Sequence, residues 1–188
     1  MDFPGTAGDD IFAGPDDPDT FSLGDGGDDD AEGAGGDDVF ELGAAFDEFD
    51  TLDGGAGNDE LRLAGDYCTI PIFFLPATLT GIELITLAGG FSYDLIVDDG
   101  NLGAGDHLTV DASALSPLEE LWFDGSLETD GRFTLIGGGC DDLLVGGAGN
   151  RLLIGNSRFN LLVGLGGSDT VDYSGAAGFV AVSLAEML

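Results

Sequence analysis

The stretch Gly54-Gly55-Ala56-Gly57-Asn58-Asp59-Glu60-Leu61-Arg62 decides how the chain reads. It has the form G-G-x-G-x-D-x-U-x, with U a large apolar residue, a nine-residue unit that divides into two parts. The first six residues favour a tight turn, because glycine permits positive φ and close backbone approach where a Cβ would block both. The last three form a short strand. By the two-residue alternation of strands, its middle residue points inward and the two flanking residues point outward.

The pattern recurs in register. N-terminal copies begin at Gly5, Gly14, Gly24 and Gly33, and a stretched copy ends Asp50-Thr51-Leu52-Asp53. The expected inward residues are Phe12, Phe21, Ala31, Phe40, Leu52 and Leu61. C-terminal copies begin at Gly137, Gly146, Gly155 and Gly164, a strict period of nine, with Leu144, Leu153, Leu162 and Val171 inward. A disordered acidic linker does not explain an apolar residue two places after the Asp in copy after copy.

A turn of this kind points carbonyl oxygens at a shared centre, and the Asp at position six adds a carboxylate. Oxygen-only ligands in a flexible turn suit Ca²⁺ better than Mg²⁺, which wants a small octahedral cage, or zinc, which wants nitrogen and sulfur.

These residues resemble the RTX (repeats-in-toxin, haemolysin-type) calcium-binding family of secreted bacterial proteins. The resemblance covers roughly residues 5–62 and 137–172. It implies an all-β, right-handed parallel β-roll in which two nonapeptides make one turn and several Ca²⁺ ions lie along the edges. It also implies carboxylate ligands at Asp10, Asp19, Asp29, Asp38, Asp59, Asp142 and Asp169. Gly5, Gly8, Gly14, Gly33, Gly36, Gly54 and Gly57 would shape the turns or offer carbonyls, with Asp17, Gly27 and Ala56 at neighbouring positions of the same ligand set. Members of the family typically leave the cell through a type I apparatus, so a secreted or cell-surface location is expected.

Between the two blocks the period changes. Segments of thirteen begin at Asp98, Asp111 and Asp124 and end Leu108-Thr109-Val110, Leu121-Trp122-Phe123 and Thr134-Leu135-Ile136. One β-rich segment per unit at a fixed period is a solenoid signature. The whole chain, 1–188, therefore reads as one solenoid: a calcium-rich block at 1–62, wider rungs at 63–136, a degenerate block at 137–172 and a cap or tail at 173–188. Asp98, Asp111 and Asp124 are expected to cap their own turns by accepting nearby backbone N–H groups. Residues 63–81 break the pattern; Pro71 and Pro76 limit the stretch to a loop or a short edge strand.

The degenerate block departs from the family pattern. Arg151 and Asn160 stand where Asp is expected, and Arg158 replaces a turn glycine. Calcium sites involving these turns are expected to be weak or absent, with Arg151 able to neutralise a neighbouring carboxylate. Its outward positions, Leu143, Val145, Leu152, Ile154, Leu161 and Val163, are apolar. Such a 143–163 stripe calls for a cover: residues 173–188 folded back, or another chain. Solenoid ends add unpaired strand edges that invite self-association.

Composition narrows the function. The net charge is −33, with 37 acids against four bases. That density argues against nucleic acid or anionic membrane as partners. It also argues against a folded state without cations, although 43% of residues are hydrophobic, too many for an ordinary disordered tail. Folding and metal binding then become one event. No apolar run is long enough to span a membrane. The start has no signal-peptide pattern, and Ala181–Leu188 is a short apolar tail, compatible with a piece of a longer protein. Cys68 and Cys140 permit one disulfide without requiring it.

No enzymatic motif stands out. His107 is the only histidine, which excludes H-E-x-x-H, and neither a G-x-S-x-G elbow nor a P-loop is present. Polysaccharide lyases share β-helical architecture and calcium use, but their chemistry recruits basic residues that are scarce here. Acid pairs such as Glu119/Glu120 are expected by chance in so acidic a chain. The sequence favours a structural calcium-binding module. A self-assembling surface-layer or filament subunit and a non-catalytic tail of a secreted enzyme, toxin or adhesin are the alternatives.

Overall fold

The computed structural model describes residues 1–76, 78–156, 158–176 and 178–184. Among them every named strand pairing is parallel and there is no helix, so none that could cross a membrane. The chain winds as a β-solenoid. One side is a nine-stranded sheet in the order Asp2–Pro4, Thr20–Ser22, Val39–Gly43, Glu60–Leu63, Leu84–Leu87, His107–Asp111, Arg132–Ile136, Arg151–Ile154, Thr170–Asp172. The other side is divided. Ile11–Ala13, Asp30–Glu32, Thr51–Asp53 and Leu79–Thr80 make a four-stranded sheet. Tyr67–Phe74, Tyr93–Val97, Leu121–Asp124, Leu143–Val145, Asn160–Val163 and Val180–Ser183 make a six-stranded one.

The core follows from strand alternation. Phe3, Phe21, Phe40, Leu61, Ile85, Val110, Leu135, Leu153 and Val171 are register partners through all nine strands. Facing them are the columns Phe12–Ala31–Leu52–Leu79 and Ile72–Leu95–Phe123–Leu144–Leu162–Val182. Phe21 stacks between Phe3 and Phe40 with ring centroids 4.7 Å apart on each side. Every expected inward residue packs in or against this core, and only the end residues Phe12 and Val171 are partly open.

Turn length varies while the register is kept. Phe3 to Phe21 spans 18 residues, Val110 to Leu135 spans 25, and Leu153 to Val171 returns to 18. Each thirteen-residue segment is therefore half a turn, as each nonapeptide is. The extra residues lie in the connections, where Asp98, Asp111 and Asp124 accept N–H bonds from Gly100, Ser113 and Ser126 at 3.1, 2.8 and 2.9 Å. This is the turn-capping role expected of them.

The irregular stretch 63–81 is where the second side divides. Tyr67–Phe74 opens the six-stranded sheet and Leu79–Thr80 closes the four-stranded one within a single turn. Tyr67–Phe74 is an edge strand, as its proline required, but eight residues long instead of short. Its pairing jumps from Tyr67 to Ile72, so Pro71 owes no ladder hydrogen bond.

The 143–163 stripe is not one surface. Leu143 and Leu161 are register partners on the six-stranded sheet, whereas Leu152 and Ile154 lie on the nine-stranded sheet opposite. Consecutive strands belong to different sheets, so adjacency in sequence does not give adjacency in space. The described part of 173–188 does not fold back over these side chains either. Val180–Ser183 pairs beside Asn160–Val163 and extends the sheet, leaving Trp122 51% and Leu161 44% exposed. Cys68 is exposed, Cys140 is buried, and both are free thiols.

Candidate metal centres at the turn edges

The position-six acids form columns along the edges of the solenoid. On the edge leading into the nine-stranded sheet, the Asp19 N–H donates to Asp38 Oδ1 at 2.8 Å. The Asp38 N–H donates to Asp59 Oδ1 at 2.7 Å, and the Asp59 N–H to Glu83 Oε2 at 2.8 Å. On the edge leading into the four-stranded sheet, the Asp10 N–H donates to Asp29 Oδ1 and the Asp29 N–H to Asp50 Oδ1, both at 3.0 Å. Each carboxylate thus accepts the backbone N–H of its counterpart one turn earlier. The parallel register brings them together, since equivalent residues on adjacent parallel strands lie about 5 Å apart.

Asp29, Asp38, Asp50, Asp59 and Glu83 each use one oxygen this way, and Asp19 Oδ1 takes the Met1 ammonium instead. Oδ2 of Asp19, Asp38 and Asp59 is buried and has no hydrogen-bond partner among the described residues. Burying an unpaired charged oxygen is costly, well above the roughly 1–3 kcal/mol of an unsatisfied neutral group. Burial pushes the carboxyls of Asp29 and Asp38 up from the ordinary aspartate value, and those of Asp50 and Asp59 to about 6. Neighbouring carboxylates of the column push in the same direction.

The first-position glycines make room for these oxygens. A Cβ on Gly54 would lie 2.7 Å from Asp59 Oδ2, and one on Gly33 would lie 2.9 Å from the Asp38 carboxyl carbon. Neither glycine has a positive φ; the need at position one is space. Left-handed backbone appears instead at the second position, where Ala34, Gly55, Asn156 and Leu165 have φ of 67°, 85°, 52° and 62°. At the fourth position Gly27 and Gly36 have φ of 123° and 117° and lie over Gly8 and Asp17 of the turn before. Gly57 lies directly over the Gly36 carbonyl in the same way. Asp17 is exposed and meets this stack through its backbone. The Ala56 carbonyl accepts the Gly36 N–H at 2.9 Å, and Gly5 donates to the Ser22 carbonyl at 2.8 Å.

The remaining expected ligands are engaged differently. Asp10 Oδ2 accepts from the Thr6 backbone N–H and hydroxyl at 2.6 and 3.1 Å. Asp142 spends Oδ1 on the Leu121 N–H at 3.0 Å and Oδ2 on the Gly138 N–H at 2.9 Å, while burial raises its pKa to about 6. Asp169 Oδ1 lies 2.9 Å from Arg151 Nη1, and both side chains are closed to solvent. The same Nη1 also donates to the carbonyls of Gly164 and Gly166. Positions one, three and six of a single turn therefore surround one cationic nitrogen. Asn160 does both jobs with an amide: Oδ1 accepts the Asp142 N–H at 2.9 Å, and Nδ2 donates to the Gly155 carbonyl.

Two column members were missed as site residues. Asp50 sits in a stretched copy, and Glu83 just after the irregular stretch. The signal was present at Glu83, which precedes the buried Ile85 by the same two residues as Asp59 precedes Leu61.

No family model, curated protein or solved structure matches the chain. The site therefore stands on its own geometry. That geometry fits a hard divalent cation: the donors are all oxygen, the nests carry buried partnerless carboxylate oxygens, and Arg151 occupies the same kind of nest with a positive charge.

Proposed function

We propose that this chain is an RTX-type calcium-binding β-roll that completes its folding when Ca²⁺ fills the turn-edge nests. The observation that carries this reading is the trio of buried, partnerless Oδ2 atoms at Asp19, Asp38 and Asp59, each against a first-position glycine. By analogy with the Gly164–Gly166–Asp169 nest around Arg151, the cation ligands are the carbonyls of positions one and three and the carboxylate of position six. These are Gly14, Asp16 and Asp19; Gly33, Gly35 and Asp38; and Gly54, Ala56 and Asp59.

Ca²⁺ takes about six to eight oxygens at about 2.3–2.6 Å and tolerates irregular geometry, which suits carbonyls from a stacked loop. The ions supply positive charge to a chain of net charge −33. Extracellular modules bind calcium with dissociation constants of about 10⁻⁴–10⁻³ M. Such sites stay unfilled in a calcium-poor cytoplasm and fill after export, so the module acts outside the cell as a structural element. The test is far-UV circular dichroism across a calcium titration from chelator, with magnesium as control. A β-signal gained with calcium alone supports the reading; a full β-signal in excess chelator overturns it.

A second reading, self-assembly into a filament or surface layer, draws on the uncovered outer face of the six-stranded sheet. Phe159 and Phe179 stack there with centroids 5.7 Å apart while 58% and 77% exposed, near Trp122 and Leu161. Sedimentation at high protein and calcium concentration tests it, and a monomer throughout counts against it.

A further inference from the structure

The geometry points to an additional cation site outside the nonapeptide turns, formed by Asp99, Glu128 and Asp130, with Ca²⁺ as its ligand. Two wide connections build it. Residues 98–106 link Tyr93–Val97 to His107–Asp111, and residues 125–131 link Leu121–Asp124 to Arg132–Ile136. Both pairs of flanking strands are register neighbours, so the connections stack one turn apart on one edge. Thr129 ties them together, donating its backbone N–H and its hydroxyl to Asp99 Oδ1 at 2.8 and 2.6 Å. The loops pack closely: a Cβ on Gly131 would lie 2.7 Å from Leu102 Cβ.

One carboxylate oxygen from each acid lies within 4.8 Å of those from the other two. Exposed acids cluster often without binding anything, and Asp99 and Asp130 are exposed. Glu128 is different. It is fully buried, and its Oε1 is fixed by the N–H groups of Asp130 and Gly131 at 2.9 and 2.7 Å. Its Oε2 is buried with no hydrogen-bond partner among the described residues. The ion pairs among those residues involve Asp19, Glu41, Glu60 and Asp169, not these three acids. This carboxylate is held in place by two N–H groups, keeps one oxygen unpartnered and lies against two further acids, an arrangement that a cation would complete.

Ca²⁺ takes about six to eight oxygens in flexible geometry, which suits three carboxylates drawn from two stacked loops, and the exposed Asp99 and Asp130 leave room for water ligands. Neither connection contains a G-G-x-G-x-D copy, so this site is independent of the nonapeptide nests. A cation here would clamp the two wide turns between the terminal blocks.

The test counts calcium bound per folded chain at saturation by equilibrium dialysis. The chains compared are the full-length wild type, an Asp99→Asn/Asp130→Asn variant and a Glu128→Gln variant. The expected result is one ion fewer in either variant with the calcium-dependent β-signal retained. A folded variant binding as many ions as wild type overturns the site. Because Glu128→Gln alters a buried position, the double variant, changed only at exposed side chains, carries the test if the former does not fold. Anomalous diffraction from a terbium-soaked wild-type crystal provides a readout without mutation: a peak between the three carboxylates supports the site, and none overturns it. An Asp38→Asn/Asp59→Asn variant separates this inference from the proposed function, since it removes ions from the nonapeptide nests while leaving this one in place.

Discussion

Arg151 and Asp169, one turn apart, form a fully enclosed ion pair with Nη1 2.9 Å from Oδ1. The guanidinium also reaches the carbonyls of Gly164 and Gly166. The solenoid thus carries a tethered cation in this nest, where Asp169 Oδ2 is buried without a hydrogen-bond partner just as Oδ2 of Asp19, Asp38 and Asp59 is; the nests of Asp38 and Asp59 hold no cationic group of the described residues, while Asp19 meets the Met1 ammonium through Oδ1. Burial pulls the Arg151 pKa down and Asp169 opposes that pull.

Replacing Arg151 with Ala removes the charge that opposes the enclosed Asp169 carboxylate. Breaking one partner out of a buried pair costs about 3–5 kcal/mol. Urea denaturation in chelator should show a loss of that order. Calcium should then restore more stability to Arg151→Ala than it adds at this turn in wild type, because the vacated nest keeps its three oxygen donors.

Asp38→Asn and Asp59→Asn keep an oxygen to accept the ladder N–H while removing a buried charge. In chelator these variants should be at least as stable as wild type. Their calcium midpoint, followed by circular dichroism, should rise about tenfold or more, equivalent to about 1.4 kcal/mol or more. Loss of stability in chelator with an unchanged midpoint would mean that these carboxylates are purely structural acceptors.

The pH dependence should reverse with calcium. Asp50, Asp59 and Asp142 are raised to about 6, and Asp29, Asp38 and Glu83 are raised as well, all chiefly by burial. A raised folded-state carboxyl pKa means that the folded chain holds its protons more tightly than the unfolded chain. The resulting stability is present below the unfolded value near 4 and is lost as pH rises through about 6. In chelator, urea midpoints should therefore fall between pH 5 and pH 7. With saturating calcium, which favours the ionised carboxylates, they should rise over the same interval.

Two glycines of the nonapeptide pattern, Gly54 at position one of its copy and Gly8 at position four of another, should respond differently to alanine. A Cβ on Gly54 would meet Asp59 Cβ at 2.6 Å and Oδ2 at 2.7 Å, whereas one on Gly8 meets nothing within 4 Å. Gly54→Ala should destabilise by about 1–3 kcal/mol, the usual cost of overpacking, and weaken calcium binding. Gly8→Ala should stay within about 0.5 kcal/mol of wild type. Thermal melts with and without calcium check both.

Ala34 and Leu165 hold left-handed φ angles without being glycine. Leu165→Gly should relieve about 1 kcal/mol of backbone strain, offset by the loss of a half-buried side chain. Ala34→Gly removes only a methyl group, so its melting temperature should equal or exceed that of wild type.

The sequence by itself determined the parts of the fold that repeat locally. The two-residue offset from Asp59 to Leu61, and its copies, fixed which side chains point inward, because strand alternation needs no knowledge of distant residues. The turn caps at Asp98, Asp111 and Asp124 were legible for the same reason: each bonds the N–H two residues ahead. The acidic columns were legible wherever the period held. They faded at Asp50 and Glu83, where inserted residues hid the register. The tertiary structure decided what depends on how half-turns are shared between sheets. Leu143 and Leu152 belong to consecutive strands yet lie on opposite faces, and Tyr67–Phe74 and Leu79–Thr80 divide one turn between two sheets. It also decided that Arg151 fills the nest of Asp169 and that Glu128 is buried beside Asp99, a residue of the turn before. Contacts 18 to 30 residues apart depend on the summed length of every intervening connection, and a local pattern carries no record of that sum.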